Sequence, residues 1–154
     1  MTTKEIEELV AGEQLDKLVA TTCCGWLELP VTADAQGKPL ATPRRIMLPP
    51  GLRHKQIKGN LLNGVQVPAY SNNPVEVYRA AHRVLEQGHP HDPQSDRRRL
   101  SITQGVDGWS VVLEGKYRRG FGRADTIEVA LCKALLEYYL YHELTMPELS
   151  AARA

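Results

Sequence analysis

The sequence lacks a strong excess of charge of either sign. Its 154 residues include 19 lysines and arginines against 18 aspartates and glutamates, which leaves a net charge of +1. This balance excludes a chain that binds nucleic acid simply as a polycation, so any basic surface must be local. No apolar run is long enough to cross a bilayer, and Lys4, Glu5, Glu7 and Glu8 interrupt the stretch where a signal peptide would be apolar. We therefore expect a cytoplasmic protein.

Cysteine is scarce, and its spacing fits neither a disulfide framework nor a metal site. We expect Cys23, Cys24 and Cys132 to be buried as small apolar side chains. A thiol nucleophile at Cys23 or Cys24 is the alternative, but the dipole at the C-terminal end of the preceding helix would raise the thiol pKa. Residues 89–92 (His-Pro-His-Asp) are a weaker candidate for metal binding, because no second ligand pair appears at helical spacing. Since no Ser/His/Asp set stands out either, we predict no catalytic residue, metal or cofactor.

Two stretches, residues 2–22 and 74–87, have the periodicity and the caps of helices. Thr2 and Glu5 match a capping box, and a glycine in the middle of the first stretch divides it into two short helices. Asn73 is a good N-cap for the second stretch, where proline occupies the first helical position.

A third helix follows residue 125, where Asp125 and Glu128 match a capping box. Its apolar side chains recur at helical spacing and predict a buried stripe: Ile127, Ala130, Leu131, Ala134, Leu135 and Tyr138.

A β-hairpin precedes this helix, because Asp107-Gly108 is a strong signal for a two-residue turn. That turn would pair Val106 with Trp109 and Ile102 with Leu113. Alternation of side chains then predicts an apolar inner face made of Leu100, Ile102, Val106, Trp109, Val111 and Leu113, opposite a polar face made of Ser101, Thr103, Ser110 and Glu114. Residues 116–121 can add a third strand, with Tyr117, Arg119 and Phe121 on one face.

Residues 28–67 contain many prolines and glycines and lack a long periodic pattern. We predict an irregular basic insertion there, with short strands possible at 27–32, 44–48 and 64–67, and a frayed tail over 144–154. Helices and strands are segregated along the chain. The fold class is therefore predicted as α+β, a single domain in which a small antiparallel sheet of two or three strands packs against two to three helices in a sandwich.

Three patches in a fixed order, the last of them in two pieces, resemble a known family of small proteins from tailed phages and prophages, the phage ABA sandwich domain proteins. The patches are LDKLVATTCCGW, PAYSNNPVEVYRAAHRVLEQ, GWSVVL and RADTIEVALCKALL, at residues 15–26, 68–87, 108–113 and 123–136. The resemblance implies an α/β sandwich and a phage genomic setting, in the cytoplasm of an infected or lysogenic bacterial host. It implies no established catalytic residues.

Three local clusters of basic residues are the candidate sites for binding a ligand or partner. They comprise Arg44, Arg45, Arg53, Lys55 and Lys58, then Arg97, Arg98 and Arg99, and finally Lys116, Arg118, Arg119 and Arg123. The last cluster includes Gly120 and Gly122 and allows two interpretations. It is either an edge strand protected by charge, which we favour, or a glycine-rich anion cradle before a helix, which Asp125 would disfavour by repulsion.

The favoured hypothesis is a non-enzymatic phage accessory protein that acts by binding, most simply in counter-defence. Its partner would be a host immune protein with an acidic surface, or a nucleotide-type ligand that it sequesters. A nucleic-acid-binding accessory factor and a small enzyme acting on a phosphorylated or nucleotide substrate are the alternatives. Exposure of Tyr139 or Tyr141 would also suit a contact between two copies of the chain.

Overall fold

Secondary structure in the computed structural model is described for residues 1–34, 36–51, 64–87, 98–115 and 118–140. These residues form an α+β fold, as the sequence predicts, with two small antiparallel sheets where one was expected. The helices are α1 (Thr3–Glu7), α2 (Glu13–Cys23), α3 (Pro74–Gln87) and α4 (Ile127–Leu140), and the strands are β1 (Leu27–Ala33), β2 (Pro39–Leu48), β3 (Arg99–Gly105), β4 (Gly108–Glu114) and β5 (Arg119–Ala124). Within these ranges, every helix is too short or too polar to cross a membrane.

Helix α4 is the centre of the main hydrophobic core. Every side chain from Val129 to Tyr138 is buried, because β4 and β5 cover one side of the helix while α1, α2 and α3 pack against it from other directions. The predicted apolar stripe was therefore too narrow, since α4 is buried all round rather than on one face. Its N-cap is Thr126 rather than Asp125, and the backbone N–H of Val129 donates to Thr126 Oγ1 at 3.4 Å.

Lys133 is the one lysine among the buried residues of α4. Its Nζ donates to the carbonyl oxygen of Glu7 at the end of α1, at 2.7 Å, and to that of Arg123 at 3.4 Å. Burial lowers the pKa of this amine, and nearby Glu7 and Asp125 act in the opposite direction. The side chain thereby connects the N-terminal helix to β5 through the central helix.

The helix predictions outside α4 are confirmed. Gly12 separates α1 from α2, and Thr2 and Glu5 form the predicted capping box. Helix α3 begins and ends where the sequence predicts, and the backbone N–H of Val75 donates to Asn73 Oδ1 at 3.0 Å. A buried hydrogen bond from the N–H of Ser71 to Asp16 Oδ1, at 2.7 Å, holds the segment before α3 against α2.

The hairpin β3–β4 forms, but its predicted turn is wrong by one position. Val106 and Asp107 are the turn residues, and Gly105 pairs with Gly108. Gly108 lies at the start of β4. Its φ is +116°, and a Cβ there would be 2.5 Å from the carbonyl oxygen of Ala124, so this position requires glycine.

Correcting the turn changes the predicted strand pairs by two residues, which is a full side-chain period. The inner face therefore keeps its predicted members, with Val111 and Leu113 fully buried and Trp109 packed against the core. Val106 is the exception, since the turn leaves it fully exposed rather than paired with Trp109.

Strand β5 packs against α4 through its glycines. In this strand Gly120 and Gly122 are buried, whereas Arg119, Phe121 and Arg123 are exposed. A Cβ on Gly120 would overlap the carbonyl oxygen of Ala134, and one on Gly122 would overlap that of Ala130. The absence of side chains at these two positions therefore allows the strand backbone to lie directly on the helix backbone.

Strands β1 and β2 form a separate hairpin with its own small cluster of apolar side chains around Val31, Ile46 and Leu48. The strands expected at 27–32 and 44–48 are confirmed and are longer than predicted, whereas no strand forms at 64–67. Much of the predicted insertion is thus regular structure. Its segment 52–63 and the predicted tail 144–154 lie outside the described residues.

We predict that Gly122→Ala lowers the free energy of unfolding by about 3 kcal/mol or more, because the added methyl group meets backbone atoms that cannot rotate away. Urea unfolding followed by circular dichroism measures the change.

Gly105→Ala, in the same sheet, is the matched control. Its Cβ would be 3.8 Å from the nearest atom, and we expect a change within about 0.5 kcal/mol. Equal effects of the two substitutions would contradict the packing argument.

Candidate binding surface

The solvent-facing side of the three-stranded sheet carries the largest group of predicted binding residues that the described structure brings together. We call it the outer face and define it as Arg99, Ser101, Thr103, Ser110, Val112, Glu114, Arg119, Phe121 and Arg123. Strand pairing arranges these residues in three rows across the sheet. The rows are Arg99–Glu114–Arg119, Ser101–Val112–Phe121 and Thr103–Ser110–Arg123.

Glu114 lies between two arginines in the first row. Its Oε2 is 2.9 Å from both Nε and Nη2 of Arg99, and its Oε1 is 3.3 Å from Nε of Arg119. The arginine side chains remain 72% and 58% exposed while the glutamate is mostly covered. One carboxylate thus orients two guanidinium groups whose other donors face solvent.

The third row ends at Arg123, whose Nη2 lies 3.4 Å from Oδ2 of Asp107 in the turn. This pair is exposed on both sides, so its contribution to stability is small. Three arginines against Glu114 and Asp107 leave the outer face and its adjoining turn with a net positive charge.

Phe121 is the only phenylalanine of the chain, and 42% of it is exposed. It lies on the outer face between Arg119 and Arg123, two residues from each along β5, with Val112 beside it on β4. Phe121 is therefore an exposed aromatic ring with an exposed arginine on each side of it along the strand.

Arg98 and Arg118 donate hydrogen bonds to the backbone of helices instead. Arg118 is buried, and its Nη1 donates to the carbonyl oxygens of Tyr138 and Tyr139 at 3.2 and 3.1 Å. These carbonyl groups lie in the last described turn of α4. Arg98 Nη2 donates to the carbonyl oxygen of Glu86 in the last described turn of α3, at 3.2 Å. Both side chains thus bond to backbone carbonyl groups of helices.

Among the described residues, Arg44 and Arg45 are predicted binding residues that are not brought together with the outer face. Arg44 and Arg45 are exposed on β2, in the other sheet, where Arg45 Nη1 lies 3.5 Å from Oε2 of Glu28. Arg53, Lys55, Lys58, Arg97 and Lys116 lie outside the described residues, as do Tyr117, Tyr141 and the histidines of 89–92. Tyr139 is half-buried against the core, next to the fully buried Tyr138.

The favoured interpretation of the segment with Lys116, Arg118, Arg119 and Arg123 was a charged edge strand, and its part Arg119–Ala124 does form a terminal strand of the sheet. The alternative of a glycine-rich anion cradle is wrong, because Gly120 and Gly122 lie within the strand and face α4. Sequence reasoning missed the combination of Arg99, Phe121 and Arg123. The alternation Arg-Gly-Phe-Gly-Arg was the signal that could have placed Phe121 and Arg123 on one face.

The cysteines lie in the main core, as predicted. Cys24 and Cys132 are buried and Cys23 is partly buried, and all three are free thiols. Burial raises the pKa of each thiol, which keeps it in the protonated, poorly nucleophilic form. Burial likewise raises the pKa of the hydroxyl groups of Tyr70 and Tyr139. Among the described residues, no three side chains of histidine, cysteine, aspartate or glutamate form a group that could hold a metal ion.

We predict that the free energy of unfolding falls as the pH rises above about 9, the ordinary thiol pKa being 9.0. The unfolded chain releases thiol and then phenol protons there, whereas the folded chain retains them. The folded state therefore binds more protons, and alkaline conditions favour unfolding. Lys133 has the opposite effect, but it is one group against three cysteines and two tyrosines.

Urea unfolding at about pH 8 and about pH 10 tests this prediction. Tyr139→Phe removes one of the two phenols whose pKa is raised, and it should reduce the loss of unfolding free energy between the two pH values. Tyr78→Phe is the control and should leave the decline unchanged, because Tyr78 lies on the exposed side of α3. Equal stability at the two pH values would contradict the prediction.

Comparison of the chain with protein-family models, curated proteins and solved structures finds no match. The resemblance to phage ABA sandwich domain proteins therefore stays a prediction from the sequence.

Proposed function

We propose that this is a non-enzymatic binding protein whose outer face binds an anionic partner. The observation that supports the proposal most strongly is the combination of Arg99, Arg119 and Arg123 with the exposed ring of Phe121 on one side of a sheet. These groups recognise and position a partner by charge, hydrogen bonds and ring contacts.

The rigidity of the sheet supports the same proposal. The other side of β5 is fixed on α4 by Gly120 and Gly122, so the arginines and the ring project from a strand whose backbone is already in place. A surface ordered before binding loses little conformational entropy on association. The buried, protonated thiols of the core offer no comparable support for the alternative of a small enzyme.

The phage resemblance suggests the biological setting of this proposal. A phage accessory protein in the cytoplasm of its host could act in counter-defence, by sequestering a nucleotide signal or by covering an acidic surface of a host immune protein. Both partners would present anionic groups to the outer face. A nucleic-acid-binding accessory factor would use the same cations and show a stronger dependence on salt.

We predict that the wild-type protein binds polyphosphate and a short single-stranded oligonucleotide at low salt, and that Arg119→Ala combined with Arg123→Ala weakens both interactions. For the oligonucleotide, the slope of log affinity against log salt concentration should become shallower by up to about 1.4, which is about 0.7 for each cation removed. Fluorescence anisotropy over a series of salt concentrations gives both quantities.

Arg79→Ala combined with Arg83→Ala is the matched control. The two arginines are exposed on α3 and, like Arg119 and Arg123, are four residues apart in the sequence. This variant should bind like the wild type. The proposal fails if the wild-type protein binds neither probe at low salt, or if the two double variants are weakened equally.

Glu114→Gln provides a test in the opposite direction. The substitution keeps the shape of the side chain but removes the negative charge beside Arg99 and Arg119, so we expect affinity for polyphosphate to rise several-fold. The same titration measures it, and a loss of affinity would show that Glu114 mainly orients the arginines.

A further inference from the structure

We infer that the outer face binds nucleotide units, with a base stacked on Phe121 and the attached phosphate held by Arg119 or Arg123. The inference rests on the proposed binding function and names the chemistry of its ligand. A nucleotide combines an aromatic ring with an anion, and β5 presents the complementary pair of groups in one short segment.

The ring of Phe121 meets the first requirement of a stacking platform, because it is exposed on a sheet rather than buried in the core. Val112 on the neighbouring strand, about 4.8 Å away, extends the apolar surface, and Ser101 lies beyond it in the same row. A base lying on the ring and on Val112 would have the hydroxyl group of Ser101 at its edge. Stacking of this kind accepts any base, since every base has an aromatic face.

The two arginines meet the second requirement. Arg119 and Arg123 each lie two residues from Phe121 on the same face, about 6.7 Å along the strand in opposite directions. A phosphate on either side of the stacked base is therefore within reach of a long guanidinium side chain. Their arrangement about the ring is compatible with a strand of nucleotides running along β5, which would place successive phosphates on the two arginines.

The composition of the outer face favours a nucleotide over an acidic protein surface. The outer face alternates arginines with a ring and small hydroxyl side chains, and it lacks a continuous apolar area of the kind found at the core of a protein interface. Tyr78 on α3 provides a comparison with similar exposure. It is 38% exposed, but it lies on a helix and not between two arginines on the face of a strand.

The test compares a short labelled oligoadenylate with an abasic oligomer of the same length and with polyphosphate, using the full chain. We expect oligoadenylate to bind roughly tenfold more tightly than the abasic oligomer. Phe121→Ala should remove this difference without changing affinity for polyphosphate. Phe121→Trp should preserve it, and Tyr78→Ala, a matched exposed aromatic residue, should leave all three affinities unchanged.

Competition with ATP and AMP distinguishes the two sources of the ligand. If ATP displaces the oligonucleotide at concentrations close to the dissociation constant of the oligonucleotide, the outer face is a site for free nucleotides. If only an unlabelled single strand displaces it, several adjacent nucleotide units bind together.

The inference is overturned if the abasic oligomer binds as tightly as oligoadenylate, or if Phe121→Ala and Tyr78→Ala have equal effects. In either case, binding of polyphosphate that depends on Arg119 and Arg123 would leave the proposed anion-binding function intact. Failure of every anionic probe to bind the wild-type protein would overturn both.

Discussion

Direct contact between the backbones of β5 and α4 is the constraint on which the rest of the structure depends. Carbonyl groups of Ala130 and Ala134 occupy the space where side chains of Gly122 and Gly120 would otherwise lie. The contact brings the sheet close enough for α4 to be buried all round, and it leaves the opposite side of β5 facing solvent. Core packing and the candidate binding surface are therefore two sides of the same strand.

Much of this fold could be predicted because local rules act within single elements. The caps and bounds of α3 and the inner residues of the β3–β4 hairpin follow from cap chemistry and side-chain alternation. The β1–β2 hairpin was harder to predict, because prolines lie within both strands and usually argue against a strand. Proline is tolerated there because, among the described residues, each strand of this sheet pairs with only one other strand, and a missing N–H on the opposite edge costs little.

The candidate surface was harder to predict, because it depends on the pairing of three strands. Arg99 and Arg119 meet only through Glu114 on the strand between them, and no local pattern relates residues so far apart in sequence. From local charge alone, Arg118 and Arg119 were equally good candidates for binding. The structure separates them, because Arg118 is buried against α4 whereas Arg119 is exposed. Which of two adjacent arginines faces solvent follows from the strand register alone.

The alternation along β5 has a consequence for how this protein can evolve. Gly120 and Gly122 are fixed by the helix behind them, whereas Arg119, Phe121 and Arg123 are on the solvent-facing side of the strand. Mutations at the exposed positions can exchange one partner for another while the scaffold remains stable. Related chains would then diverge in specificity at every second position of this strand and preserve the glycines between them.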